Sequence, residues 1–136
     1  MLRAHDFSRD IQAKLFGVKG HKLNSGEQTF LSQCVQYQLP KVEAQYQFAK
    51  PMGRKFSADF AFVEYQLLIE IQGGVWMQGG GAHSRPANID RDIEKQQHAA
   101  LLGFLILPFT PQQVRSKHAI DWTTRVLFRL GWRPAR

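Results

Sequence analysis

Apolar and polar positions change period several times along this chain, and each change predicts an element. NSGEQTFLSQCVQYQLP (24–40) carries helix signals: Ser25 as N-cap with Gln28 three residues on, Leu31, Cys34 and Val35 at helical spacing, and Pro40 as a stop. VEAQYQFA and FSADFAFVE alternate in part and LLIEIQGGVW is a nearly unbroken apolar run. Short turn-rich links separate the three, which predicts a meander of three strands. After a glycine-rich stretch, NIDRDIEKQQHAALLG predicts a second helix, with Asn88 as cap, apolar positions at Ile89, Ile93, Ala100 and Leu101, and Gly103 as terminator. FLILPF predicts a buried strand, and Thr110-Pro111 a helix cap and first helical position. HAIDWTTRVLFRLG predicts an amphipathic helix with Ile120, Thr123, Leu127 and Leu130 on one face. The first 24 residues are basic and broken by Gly17 and Gly20, a weak helix followed by an arm.

A strand that returns to its sheet through a helix usually lies parallel to its neighbour, so the order helix, three strands, helix, strand, helix predicts an α/β domain. Its sheet should be mixed and flanked by helices. With 136 residues and 43% hydrophobic content, the chain suits one globular domain. No stretch is apolar enough to span a bilayer, MLRAHDFSRD lacks the apolar core of a secretory signal, and the expectation is a cytoplasmic protein. Cys34 is the only cysteine, which excludes an internal disulfide and fits a core thiol. The charge of +7, from 18 basic against 11 acidic residues, favours a polyanionic partner. A membrane surface fits poorly, because the basic residues are dispersed and no strongly basic amphipathic helix appears.

Against that background Asp59 and Glu70 stand out, two carboxylates inside an apolar hairpin. Burying an unpaired ionised carboxylate is costly enough that something must neutralise it. Glu70 and Gln72 fall on one side of the third strand, Ile69 and Ile71 on the other, and pairing around Glu64–Gln66 brings Asp59 across from Glu70 or close to it. Salt bridges to Arg54, Lys55 or Arg91 would compensate the acids. So would a divalent cation held by hard carboxylate oxygens and a strand carbonyl against a phosphodiester. A glycosidase-like acid and base pair has no use for the strong positive charge.

Asp59, ten intervening residues, then Glu70-Ile71-Gln72 resembles the core of the PD-(D/E)XK nuclease superfamily. EIQGGVW, HSR and DIEKQQHAALLGFLILPFTPQQV extend the likeness to small phage and prophage endonucleases and Holliday junction resolvases, related in fold to very-short-patch repair endonucleases. The resemblance covers residues 25–117, with 1–24 as an arm and 118–136 as a C-terminal helix outside it. It implies a restriction-endonuclease-like fold (αβββαβα) and a bacterial cytosolic enzyme cutting DNA with Mg2+, or Mn2+ in its place. The metal ligands would be Asp59, Glu70 and the backbone carbonyl of Ile71, with Glu27 on the first helix as a further acidic ligand. A four-way junction as substrate implies a homodimer, since two symmetric cuts need two sites related by a two-fold axis. A nicking or mismatch-repair endonuclease of the same fold is the alternative, and so is a DNA-binding protein that has kept the fold without the chemistry.

Gln72 stands where the superfamily usually has Lys. An amide positions water through hydrogen bonds but carries no charge, and Lys95 on the following helix is the candidate to supply it. The loop QGGGAHSRPAN places His83 and Arg85 to contact phosphate. Arg54 and Lys55, just before the Asp59 strand, and Lys19 and Lys22 on the arm are further DNA contacts. Trp76 reads as a buried hydrophobe or as a stacking platform for an exposed base.

Overall fold

A computed structural model of the chain describes residues 23–72 and 86–135. The arm with Lys19 and Lys22, and the loop with Trp76, His83 and Arg85, lie outside the described residues.

Helix α1 spans Ser25–Gln36. Its cap is Asn24 rather than Ser25: the Asn24 side chain accepts the Glu27 N–H and the Glu27 carboxylate accepts the Asn24 N–H, each at 2.9 Å. Asn caps as well as Ser does, and the reciprocal partner three residues on is here an acid, which also favours the positive end of the helix. Strands β1 (Glu43–Tyr46), β2 (Ala58–Phe62) and β3 (Leu67–Ile71) form the predicted meander, and β4 (Leu105–Phe109) lies parallel to β3. The sheet order is β1-β2-β3-β4. The parallel step requires a crossover, which contains α2 (Pro86–Leu101). Because Pro86 is the first helical residue, Asn88 lies in the first turn and is not the cap. Gly103 ends the excursion at φ +85°, with the Phe104 N–H donating to Ala99 O at 2.8 Å. Thr110 caps α3 (Pro111–Arg115), as predicted, and Gln113 closes a capping box with it; Lys117 at φ +69° turns the chain into α4 (His118–Arg129).

The fold is thus α/β, a four-stranded mixed sheet flanked by helices. Alternation along the strands makes two cores. Phe60, Phe62, Leu67 and Ile69 pack with Phe30 and Leu31 of α1, Val114 of α3, and Ile120 and Leu127 of α4. The Phe30 and Phe60 rings lie 5.2 Å apart, a pair worth about 0.5–1.5 kcal/mol beyond its buried area. On the other face Ala61 and Leu68 pack with Phe48, Phe56 and Ala99 of α2. Cys34 is buried in the first core, where burial pushes its thiol far above the ordinary range, as a structural cysteine should be.

Two expectations about burial fail. Ile89, Ile93, Ala100 and Leu101 do not form the inward stripe of α2; all four are exposed, and the inward line is Lys95, Ala99 and Leu102. FLILPF is not a buried strand either: among the described residues β4 is an edge of the sheet, and Leu105 is 52% exposed.

Candidate active site

The ladder between β2 and β3 runs from Phe62↔Leu67 to Phe60↔Ile69. One step further sets Asp59 across from Glu70, on the face that carries Ala61 and Leu68 and looks toward α2. There the Ile71 N–H donates to Asp59 Oδ2 at 2.7 Å, so a side chain takes the donor that a continuing ladder would use. Asp59 is half-buried, and one of its oxygens is committed to holding the end of β3.

Lys95 reaches inward from α2 and forms an ion pair with Glu70 through Nζ and Oε1; both side chains are largely buried, at 21% and 15% exposure. Burial pushes the Glu70 carboxyl above the usual carboxylate range, the Lys95 ammonium pulls it part of the way back, and the negative charge of Asp59 adds to the rise. Glu70 is therefore paired with Lys95 rather than with Arg54, Lys55 or Arg91. Arg54 is bound to Glu94 in a two-pronged pair at 3.2 and 2.9 Å and lies over the Phe56 ring, and Arg91 covers the same ring. Lys55 is exposed.

Glu27 sits buried in the first turn of α1. One of its oxygens closes the capping box, and the other accepts from Gln45 Nε2 at 3.2 Å. Gln45 lies between the paired residues Ala44↔Phe60 and Tyr46↔Ala58, which places it beside Asp59 in the sheet, and its φ of +51° breaks the regularity of β1 there. The alternation pattern of VEAQYQFA carries no sign of that irregularity. Gly26 lies against Ile71: a Cβ there would meet Ile71 Cγ2 at 3.7 Å, so the first turn of α1 rests on the end of β3. Gln72 follows directly, exposed, and its N–H donates to Phe109 O at 2.8 Å, which extends the parallel ladder and sets its side chain toward the Glu70 side.

Among the described residues no three His, Cys, Asp or Glu side chains gather into a metal-holding group. Among the described residues Asp59 and Glu70 are the carboxylates that a cation at this position would meet, with carbonyl and water oxygens completing its shell, which is how magnesium is commonly held. The pair fits such an ion in donor type, for both are hard oxygen donors on adjacent strands.

A cleft of about 610 Å³ opens along β1, lined by Tyr46, Phe48, Lys50 and Phe104 among others. None of Asp59, Glu70 and Lys95 lines it.

Among the described residues no helix is long and apolar enough to cross a membrane. Compared with family models, with curated proteins and with solved structures, the chain finds no match in any of the three.

Proposed function

We propose that this chain is a divalent-metal-dependent DNA endonuclease of the restriction-endonuclease-like fold, acting on branched DNA as a homodimer in the bacterial cytosol. The observation that carries the reading is the convergence of Asp59, Glu70 and Lys95. They come from β2, β3 and α2, and they are the three side chains that a metal-dependent phosphodiesterase would use in this arrangement. The element order of the described residues and the net charge of +7 support it further.

Asp59 and Glu70 would hold the ion, with the Ile71 carbonyl beside them, and a bound magnesium lowers the pKa of water and offsets charge on the departing oxygen. Glu27, bound to Gln45 beside Asp59, would add the further acidic ligand or steady that neighbour. Lys95 is held at the carboxylates, within reach of a water or phosphate oxygen that approaches Glu70. Gln72, exposed at the strand end, orients that water by hydrogen bonding. Hydrolysis forms a bond from the water oxygen to phosphorus and breaks the bond to the 3′ oxygen, which leaves with its electron pair and takes up a proton. Arg54 would have to leave Glu94 to meet a phosphate, whereas Lys55 is exposed already.

The assay is direct. Purified protein is incubated with a four-way junction, a mismatched duplex, a matched duplex and a single strand, each with magnesium, manganese or chelator. Metal-dependent cutting with preference for the junction is expected. Preference for the mismatched duplex would move the assignment to a repair-type nickase. Binding without cutting under every condition would replace the enzyme by a DNA-binding protein of this fold, a reading that draws on Gln72 in place of Lys.

A further inference from the structure

The C-terminal segment that contains α4 holds most of the excess charge of the molecule. Residues 111–136 contain Arg115, Lys117, Arg125, Arg129, Arg133 and Arg136 against Asp121 alone, a net charge of +5 out of +7. On α4 the inward face is Ala119, Ile120, Thr123 and Leu127, all buried, whereas His118, Trp122, Arg125, Phe128 and Arg129 are exposed. The aromatic rings on that outer face are interleaved with cations. Arg125 Cζ lies 5.4 Å from the Trp122 ring centroid, the His118 ring is 6.0 Å from the same indole, and Arg133 Cζ lies 5.5 Å from the Phe128 centroid. The only acid of the segment, Asp121, forms an i,i+4 ion pair with Arg125, Nε to Oδ2 at 3.3 Å, on the same exposed face as the indole.

We infer that this face binds single-stranded nucleic acid, Arg125 and Arg129 neutralising phosphates and Trp122 stacking on an unpaired base; the inference rests on the nuclease reading for the identity of the polymer. Charge complementarity selects a polyanion. The interleaved ring selects one with exposed π-faces, because bases inside a duplex present none to a helix surface. A lipid surface fits less well: Trp122 and Phe128 lie six residues apart, near opposite edges of the outer face with Arg125 between them, so they do not form one apolar wedge. The face belongs to the helix layer across the sheet from Asp59, Glu70 and Lys95, and the strand it holds is therefore distinct from the segment at the carboxylates.

The test is binding by the full chain in chelator, where no metal-dependent cutting interferes, to a labelled single strand and a duplex of equal length across a salt series. Trp122→Ala should weaken single-strand binding about 10-fold or more, with Trp122→Phe retaining most of it and duplex binding changing much less. Arg125→Ala with Arg129→Ala should lower the slope of log affinity against log salt by about 1.4 on the single strand. Thermal melts confirm that these exposed substitutions leave the fold intact. Unchanged affinity and slope in both variants would overturn the inference, as would tighter binding to anionic phosphatidylserine vesicles than to the strand. A parent that binds the strand through this face but never cuts DNA removes the nuclease reading alone. A parent that cuts while the variants bind unchanged removes this inference alone.

Discussion

Asp59 does two things at once, and substitutions separate them. Its Oδ2 anchors the Ile71 N–H, while its charge raises the Glu70 carboxyl across the strand pair. Asp59→Asn keeps an acceptor oxygen for the N–H and removes the repulsion. The metal-free variant should therefore melt at the parent temperature or slightly higher, and on the proposed function it should lose both cleavage and the thermal stabilisation expected of the parent in magnesium. Asp59→Ala also removes the acceptor and should cost about 1–3 kcal/mol in chelator, because the Ile71 N–H loses its partner. Melts of the three proteins with and without magnesium settle it: an Asn variant as unstable as the Ala variant, and a parent indifferent to magnesium, would make Asp59 purely structural. The sequence made the two acids legible, since carboxylates in an apolar hairpin stand out, and it also pointed to Lys95. Other partnerships were not legible. Arg54 lies close to Asp59 in the chain, yet it turns to Glu94, because a two-pronged carboxylate on a helix 40 positions away satisfies the planar guanidinium better than a half-buried strand side chain.

Among the elements, what could be read from the sequence was whatever local chemistry decides. Thr110-Pro111 with Gln113 gives the cap of α3, and Gly103 gives the end of α2, because a left-handed turn suits glycine best. Gly103→Ala should cost about 1–2 kcal/mol, and the cost is conformational rather than steric: the nearest atom to an added Cβ is the Gln66 side chain at 3.5 Å, an ordinary contact, whereas φ stays at +85°. Chemical denaturation measures this, and an Ala variant as stable as the parent would mean that the turn had rearranged. Burial depends on what lies opposite, and there the pattern misled. Ile89, Ile93 and Leu101 outnumber the apolar residues on the other side of α2, yet the helix turns Lys95 and Ala99 to the sheet. Glu70 supplies the reason, because a buried carboxylate needs its cation more than the surface needs to lose an isoleucine. In β4 an unbroken apolar run resembles a central strand, and only Pro108 hints at an edge.

For the whole molecule those two misreadings coincide. The side chains that the pattern assigned to the interior, Ile89, Ile93, Leu101 and Leu105, are 45–72% exposed on α2 and at the start of the neighbouring edge strand. A second copy adding to the sheet at β4 would find few donors. The Leu105 N–H points inward to Gln66 O, so by alternation the open edge carries Ile106 and Pro108, and proline has no N–H. In the proposed homodimer, packing of α2 against its symmetry mate would use the apolar surface without needing those donors, and such a two-fold contact would supply the paired sites that symmetric cutting of a junction requires. Ile93→Glu should therefore convert a dimer to a monomer with little effect on thermal stability, since the side chain is already 48% exposed in the protomer. Sedimentation over a concentration series, with and without junction DNA, gives the answer. A parent that stays monomeric in both series removes the homodimer, and a variant that dimerises as well as the parent moves the contact away from α2.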